Sequence, residues 1–350
     1  MSEGPEITEQ ILAAAAELGF SRAALTPARL PEADLAHFRR WREAGHDADM
    51  EWIGARSAER ADAGVLLPGA ASVLSLGMFY LANTAPTDAP RFGGTVSRYA
   101  WGRDYHQLIN KRLKKLRRKI EAILPGVSTY LNVDTGPVLQ RSYARQAGLG
   151  WIGHNTCLID PEGGSYLFLA EVIIDRALEP GPAVHKRMPD CGTCTACLDA
   201  CPTDAFAGKG VLDSRLCISY QTIENRGAIP EELREKFGDL VFGCDICQEV
   251  CPWNREPITT SERDFEPRAG HARLDLKWIL ETHPMEIEDE FLGSPLRRAK
   301  GRGLKRNALI ALGNSGDVEA IALIEAFLED CDDEILREHA NWALERLRAD

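Results

Sequence analysis

The sequence lacks the marks of a secreted or membrane-inserted protein. Its first twenty residues contain four glutamates and no lysine or arginine, whereas a signal peptide begins with a positively charged segment. The apolar stretch Val73–Leu81 is much shorter than the ~20 residues that a membrane-spanning helix requires. We therefore expect a cytoplasmic protein without membrane contact, in which this stretch forms one buried strand.

Two widespread catalytic motifs are also absent. The chain contains no GxxxxGK[ST] loop and no HExxH helix, so neither nucleotide hydrolysis nor zinc peptidase chemistry is supported. One G-x-G-x-x-G pattern occurs, at Gly148–Gly153. A dinucleotide-binding fingerprint needs a strand before this pattern and a helix after it, but the sequence predicts the reverse order. We therefore reject a dinucleotide-binding fold.

Positive charge is scarce overall, with 41 Lys and Arg against 53 Asp and Glu and a net charge of −12. This balance argues against a protein that coats nucleic acid indiscriminately. Two local groups remain candidate surfaces for a polyanion. For the first group a solvated helix face is the favoured explanation, so the second group is the stronger candidate. The first is the basic helix at Lys111–Lys119. The second, the C-terminal basic cluster, consists of Arg297, Arg298, Lys300, Arg302, Lys305 and Arg306.

Cysteine, by contrast, is abundant and clustered. Eight of the ten cysteines lie between Cys191 and Cys251, and in a reducing compartment such clusters indicate metal or redox chemistry. The first run is Cys191-x2-Cys194-x2-Cys197-x3-Cys201-Pro202, and the second is Cys244-x2-Cys247-x3-Cys251-Pro252. The first run has the spacing of bacterial ferredoxins, in which the cysteine before proline ligates the other of two clusters.

The ferredoxin rule divides the cysteines into two sets of four, one for each [4Fe–4S] cluster. The first set is Cys191, Cys194, Cys197 and Cys251. The second set is Cys201, Cys217, Cys244 and Cys247, with Cys217 displaced upstream by an insertion. The alternatives are two zinc sites or a disulfide framework, but zinc ribbons use paired CxxC units. Cys157 and Cys331 lie outside the block and are interpreted as small buried hydrophobes.

Hydrophobic periodicity predicts an α+β fold. Helices are predicted at 7–18, 30–44, 105–124 and 138–147, and strands at 73–81, 127–133, 157–160 and 166–174, with the last two joined as a hairpin by residues 161–164. Residues 256–300 are irregular and charged, and residues 303–348 form three helices that resemble a HEAT-like repeat pair. Because so few repeats cannot bury their own faces, we expect this tail to pack on the body.

One acidic residue is a candidate for catalysis. Asp134 lies in the turn Asn132–Pro137, between a predicted strand and a predicted helix. On composition alone, its position favours an aspartate that caps a helix or stabilises a turn. The catalytic interpretation is a carboxyl group in a pocket, with a pKa raised by desolvation, that donates a proton.

Over nearly its full length the chain resembles the epoxyqueuosine reductase family, which acts on tRNA. Besides the two cysteine blocks and the tail, the resemblance depends on short motifs. These motifs are Arg98–His106, Val133–Gly136, Arg141, Gly148–Gly150, Gly164–Tyr166, Ala170–Glu171 and Cys217–Ser219. The resemblance implies a nitroreductase-like cobalamin-binding domain at residues 1–180 and a ferredoxin-like domain with two [4Fe–4S] clusters at 181–258. A linker at 259–302 and the HEAT-like tail at 303–350 would follow.

The resemblance also implies an activity, the reduction of epoxyqueuosine to queuosine at the wobble position of the tRNA anticodon. Electrons would pass through both clusters to cobalamin, whose Co(I) form attacks the epoxide, and Asp134 would protonate the departing oxygen. The implied cobalamin contacts are Arg60, Ser97, Asp134, Leu158, Leu169, Ser219 and Asp245. The C-terminal basic cluster would contact the anticodon stem-loop. The other implied partner is a low-potential electron donor that the sequence does not identify, and we expect a monomer.

Two other classes of protein share part of this pattern. A reductive dehalogenase-like cobalamin protein would have the clusters and the cofactor domain, but it usually carries a twin-arginine export signal and lacks the HEAT-like tail. A non-catalytic electron carrier would need neither cobalamin nor Asp134. It would leave residues 1–180 and the C-terminal basic cluster without a role.

Overall fold

The computed structural model describes residues 4–83 and 90–349 of the chain. Its helices are α1 (Pro5–Glu17), α2 (Glu32–Glu43), α3 (Glu51–Ala55), α4 (Ser57–Ala61), α5 (Ala63–Leu66), α6 (Tyr105–Ile123), α7 (Gln140–Gln146), α8 (Ala196–Asp199), α9 (Ile218–Ile223), α10 (Glu231–Arg234), α11 (Ile246–Glu249), α12 (Leu276–Glu281), α13 (Pro284–Glu290), α14 (Lys300–Gly313), α15 (Ala320–Glu329) and α16 (Glu334–Ala349). Its strands are β1 (Arg22–Pro27), β2 (Ser72–Phe79), β3 (Gly93–Val96), β4 (Thr129–Val133), β5 (Trp151–Ile152), β6 (Leu158–Ile159), β7 (Leu167–Ile174), β8 (Phe206–Gly208), β9 (Val211–Leu212), β10 (Leu240–Phe242) and β11 (Arg273–Asp275). The expected mixture of helix and sheet is confirmed.

The main sheet has four antiparallel strands in the order β1-β2-β7-β4. Every residue of β2 is buried, because helices cover both faces of the sheet. Helices α1 and α6 pack on one face, against the β2 residues Leu74 and Leu76. Helix α7 packs on the other face, where Tyr143 contacts Val73. The sheet therefore holds the carboxyl end of β4, and the residues after it, in a fixed position.

Helix α6 is long because its start is capped and one face is apolar. The side chain of Asp104 accepts a hydrogen bond from the backbone nitrogen of His106 and so satisfies a free donor at the helix start. Ile109, Leu113 and Leu116 recur at helical spacing and are completely buried, which stabilises the fold by about 2 kcal/mol for each side chain. The basic residues of the helix consequently point away from the sheet.

A second sheet joins three distant parts of the chain. Strand β3 lies in the centre, with β10 parallel to it on one side and β11 antiparallel on the other. One strand comes from each of the first three domains that the sequence predicts. The apolar side chains Val96, Val241 and Leu274 from these strands share one core with the C-terminal helices. The parts of the chain that contribute β3, β10 and β11 therefore share one sheet and one core and are not separate domains joined in series.

The C-terminal helices pack on the body, as expected. Helix α14 is buried along most of its length and contacts α12, α13, α16 and β10. The segment 259–302 differs from the expected irregular linker, because it contains β11, α12 and α13. Helices α12 and α13 have only six and seven residues, which is too short for a hydrophobic period to show clearly in the sequence.

Two further expectations about strands are wrong or incomplete. The predicted strands at 157–160 and 166–174 do not form a hairpin with each other, since β6 pairs with β5 while β7 pairs with β2 and β4. Edge strand β1 was not predicted. Among the described residues, none of the helices has both the length and the apolar character that crossing a membrane would need.

Candidate active site

The catalytic candidate Asp134 lies directly after β4, in a strained backbone conformation. Its φ angle of 49° is in the left-handed region that residues other than glycine rarely adopt, and such residues are concentrated at functional sites. Its side chain is 56% exposed, yet enough protein surrounds it for burial to affect its pKa. The carboxylate therefore lies inside an open cleft.

A histidine joins this carboxylate to a second one. The Nε2 atom of His106 lies 3.1 Å from Asp134 Oδ2, and its Nδ1 atom lies 2.7 Å from Asp104 Oδ1. Burial lowers the pKa of His106, but the two carboxylates outweigh burial and raise it to about 9. At neutral pH this histidine is an imidazolium held between two aspartates.

The expected rise in the pKa of Asp134 is wrong for this state of the protein. Burial does raise the pKa of the carboxyl group, but the hydrogen bond and charge of His106 outweigh that effect and lower it. Asp134 is therefore ionised, and the proton of the pair resides on His106. The sequence contains His106 within the Arg98–His106 motif, but its contact with Asp134 depends on how α6 packs.

Two tyrosines and an arginine complete the cleft. The side chain of Tyr105 lies close enough to Asp134 to help lower the pKa of that carboxyl group. Burial and the charge of Asp134 raise the pKa of Tyr105, and likewise that of Tyr99, so both phenols keep their protons. The charge of Arg298 also reaches Asp134, while its guanidinium pairs with Glu224 at 2.6 Å. The cleft therefore combines proton donors with one nearby cation.

The structure brings together two of the predicted cobalamin contacts. Ser97 Oγ donates a 2.7 Å hydrogen bond to Asp245 Oδ1, and the backbone nitrogen of Arg98 donates to Asp245 Oδ2. The charge of Asp245 also acts on Tyr99, which faces Asp134. Asp245 therefore connects the cysteine block to the edge of the cleft.

The other predicted contacts lie in several elements. Leu158 in β6 and Leu169 in β7 pack in one apolar cluster, and Ser219 in α9 hydrogen bonds to the Cys217 thiol. Arg60 is buried, and its Nη1 atom donates to the carbonyl oxygens of Trp52, Ile53 and Arg56. This Arg60 nitrogen therefore stabilises the turn between α3 and α4.

The eight cysteines of the block form two groups in space. The thiols that face one another in the first group are Cys191, Cys194, Cys197 and Cys251. Those in the second group are Cys201, Cys217, Cys244 and Cys247. All ten cysteines are free thiols. Among the described residues, no group of three or more His, Cys, Asp or Glu side chains is arranged to hold a metal ion. The division of the eight cysteines into two sets of cluster ligands therefore stays a prediction from the ferredoxin spacing.

The two groups have different surroundings. Near the first group, Trp151 Nε1 donates to Cys191 Sγ at 3.5 Å. Trp151 belongs to the G-x-G-x-x-G pattern, and a Cβ atom on Gly150 would lie 2.2 Å from the carbonyl oxygen of Ile159. These glycines therefore allow β5 and β6 to approach closely over the thiols, which explains the pattern without a dinucleotide. The second group adjoins Asp245 and hence the cleft.

Cys157 has a more specific position than the sequence suggested. Its thiol lies close enough to Cys247 and to Cys251 to raise the pKa of each. The interpretation of Cys157 as only a small buried hydrophobe is therefore incomplete. Its spacing from the cysteine block contains no signal for this contact, which depends on the packing of β6.

The C-terminal basic cluster is mostly engaged within the protein. Lys305 and Arg306 are buried, and both donate to backbone carbonyl oxygens, so we withdraw them as RNA contacts. Arg298, Lys300 and Arg302 are exposed but pair with Glu224, Glu288 and Asp333. This leaves Arg297 as the member without an ion pair among the described residues.

The basic helix α6 has more cations that are not paired with a carboxylate. Four exposed cations on α6 have no ion pair in the described part of the chain, and they line a shallow depression together with Gln107 and Asn110. These cations, the α6 stripe, are Lys111, Lys114, Lys115 and Arg118. The depression begins one residue after His106 and extends along the helix away from the cleft.

Comparison with known proteins agrees with this geometry. Residues 190–254 match the family model of a 4Fe-4S double cluster binding domain, so the fold and the thiol groups define an iron–sulfur oxidoreductase. Residues 60–135 match the family model described as epoxyqueuosine reductase QueG. An epoxyqueuosine reductase of Pseudomonas aeruginosa is 44% identical over 339 residues, which cover 94% of this chain and 91% of that protein. The chain belongs to the epoxyqueuosine reductase family.

Solved structures of the family have the same fold. An epoxyqueuosine reductase with an epoxyqueuosine-modified tRNA-Tyr stem loop has a TM-score of 0.83 at 26% identity, covering 98% of this chain and 99% of that one. The Bacillus subtilis enzyme has a TM-score of 0.87 at 28% identity, covering 98% and 90%. In that Bacillus structure the catalytic loop, which carries an aspartate, is swung out of the active site.

Proposed function

We propose that this protein reduces epoxyqueuosine to queuosine in the anticodon stem-loop of tRNA. The observation that carries the proposal is the Asp104–His106–Asp134 arrangement, located in an open cleft beside the second thiol group. Opening an epoxide and removing its oxygen as water consumes two electrons and two protons. The second thiol group on one side of the cleft would deliver the electrons. The Asp104–His106–Asp134 arrangement on the other side holds a proton.

The eight block cysteines are proposed to bind two [4Fe–4S] clusters, one in each thiol group. Such clusters need deprotonated thiols. Burial raises the pKa of Cys197 to about 11 and that of Cys244 to about 12, so cluster binding has to release these protons. The second group adjoins the cleft and would therefore deliver the electrons to it. The finer domain description, a nitroreductase-like domain at 1–180, a ferredoxin-like domain at 181–258, a linker at 259–302 and a HEAT-like tail at 303–350, forms part of this proposal.

The cleft is proposed to hold cobalamin. Its open form and the contact between Ser97 and Asp245 support this site, with Leu158, Leu169 and Ser219 at its edges. When bound, cobalamin would supply a reduced, nucleophilic cobalt centre. Asp134 and His106 would then place a proton next to the epoxide oxygen, while Tyr99 and Tyr105 remain neutral beside it.

The anticodon stem-loop is proposed to lie along the α6 stripe. Its cations are free of carboxylate partners, whereas most of the C-terminal basic cluster is paired or buried. Counterion release from phosphates favours unpaired cations. Arg297 and Arg298 remain candidates for a second contact, because Arg298 lies close enough to the cleft to affect Asp134.

An anaerobic assay tests the function. The reconstituted protein receives a low-potential reductant and epoxyqueuosine-containing tRNA, with and without cobalamin, and the digested RNA is analysed by mass spectrometry. We expect loss of one oxygen from the modified nucleoside only with cobalamin, and no loss with Asp134→Asn, which should keep its iron. If epoxyqueuosine remains unreduced although cobalamin is bound and both clusters are intact, a dehalogenase-like enzyme would be favoured instead. Absence of cobalamin binding would favour an electron carrier.

A further inference from the structure

A buried carboxyl group lies beneath the loop that carries Asp134. Glu171 in β7 is opposite Asn132 in β4 and opposite Ser75 in β2, so the three side chains form one row across the sheet. All three are buried. Glu171 Oε2 accepts hydrogen bonds from Asn132 Nδ2 at 2.6 Å and from Gln140 Nε2 at 2.9 Å. The function proposed above gives Glu171 no role.

The hydrogen bonds of this row do not balance if Glu171 is ionised. Glu171 Oε1, Asn132 Oδ1 and Ser75 Oγ are all buried without a partner. Two of these atoms can only accept hydrogen bonds, and the Ser75 hydroxyl is the single donor. A proton on Glu171 provides a second donor to this row and removes a buried charge that would lie beside two unpaired oxygens. Burial raises the pKa of Glu171 to about 8 despite the two amide donors, which agrees with a neutral acid at pH 7.

The row also supports the Asp134 loop. Asn132 is the residue two positions before Asp134, and its side-chain oxygen lies against the loop backbone, since a Cβ atom on Gly136 would approach Asn132 Oδ1 to 1.8 Å. The orientation of the Asn132 amide therefore fixes where the loop rests. Gln140 Nε2 donates to the carbonyl oxygen of Leu169 as well as to Glu171, which connects the row to the cleft wall.

We propose that Glu171 is a positioning residue that, as a neutral carboxylic acid, holds Asn132 and thereby keeps the Asp134 loop in the cleft. When Glu171 loses its proton, a buried charge without a counter-ion remains beside two unpaired oxygens, and the loop loses its support. The titratable groups that face Glu171 are Asp134 on the loop and Tyr143 on α7. Neither is a cation, so neither would stabilise the ionised form.

The test compares wild type with Glu171→Gln and Glu171→Ala by hydrogen exchange of the backbone at residues 133–137, at pH 7 and pH 9. Glutamine keeps an acceptor for Asn132 and Gln140 and provides a permanent donor in place of the acid proton. After correction for the intrinsic effect of pH, we expect wild type to exchange about tenfold faster at pH 9 than at pH 7. Glu171→Gln should stay protected at both values, and Glu171→Ala should be unprotected at both.

Protection in wild type that is equal at both pH values, or a loop already loosened by Glu171→Gln at pH 7, would overturn the proposal. The catalytic consequence depends on the proposed function, but hydrogen exchange needs no turnover, so the two can fail independently. If the alanine variant does not fold, the comparison of wild type with the glutamine variant still decides. In turnover, wild type should lose kcat at a lower pH than Glu171→Gln, because the pKa of Glu171 is about 8 and that of His106 is about 9.

Discussion

The imidazole of His106 and the carboxylate of Asp134 are 28 residues apart in the chain and 3.1 Å apart in the structure. Because Asp104 binds the other imidazole nitrogen, the three groups together hold one proton until the pH approaches 9, the value to which the pKa of His106 is raised. The proton proposed for catalysis is thus shared by His106 and the two aspartates, and experiments can show which group holds it.

Replacing the histidine should move the alkaline limit of activity. The pair keeps its proton up to about pH 9, so in a Glu171→Gln background, which removes the ionisation of Glu171, activity should fall only above that value. In His106→Gln the proton is lost at the pKa of Asp134 alone, so the fall should occur at a lower pH. The measurement is kcat against pH, with iron content as a control for folding. An alkaline limit that stays in place would mean that His106 does not hold the proton.

Iron content should distinguish cluster ligands from a neighbouring thiol. Cys217→Ser removes one member of the second group, and we expect iron to fall from about eight to about four atoms per chain. Cys157→Ala is the matched control, because its thiol touches Cys247 but lies outside the predicted sets. It should keep all its iron. If Cys157→Ala lost half of its iron and Cys217→Ser lost none, Cys157 would be the cluster ligand and Cys217 the neighbouring thiol.

The buried Arg306 should be essential for stability rather than for RNA binding. Its guanidinium donates to the carbonyl oxygens of Gln221, Asn225 and Gly227. Arg306→Met leaves these buried acceptors without donors and should lower the free energy of unfolding by at least about 3 kcal/mol. The exposed Arg297→Gln should leave the thermal midpoint unchanged. Equal midpoints for both variants would show that the carbonyl contacts contribute little.

Charge removal from the α6 stripe should weaken tRNA binding. We expect Lys114→Gln combined with Lys115→Gln to lower the affinity and to reduce the slope of log affinity against log salt by about 1 to 2. The same charge change at the exposed Lys236 and Lys277, which lie on other elements, should have a smaller effect. A salt slope that falls equally in both double variants would mean that the stripe is not the binding surface.

Local patterns predicted much of this molecule. The cysteine spacing predicted a domain for two iron–sulfur clusters, which the family-model match to residues 190–254 supports, because ferredoxin-type sites are built from short loops. The apolar period of α6 predicted its buried face. The pairing of His106 with Asp134 could not be predicted, since it depends on α6 packing across the sheet. The burial of Arg306 could not be predicted from the sequence either, because its partners are backbone carbonyl oxygens, which any residue provides.

The Arg22–Pro27 strand was missed for a related reason. Its sequence, Arg-Ala-Ala-Leu-Thr-Pro, has few β-branched residues and ends in proline. It forms a strand because the exposed edge of β2 is available for pairing. Tertiary context therefore decides the structure of this segment more than its own composition does.

The sheet of β10, β3 and β11 has a consequence for biosynthesis. Strand β3 emerges from the ribosome long before residues 240–242 and 273–275, yet it pairs with both. A nascent chain that ends near residue 180 would expose unpaired edges on both sides of β3, a form prone to misassembly. The sheet around β3 can therefore be completed only after translation has passed both the cysteine block and residue 275.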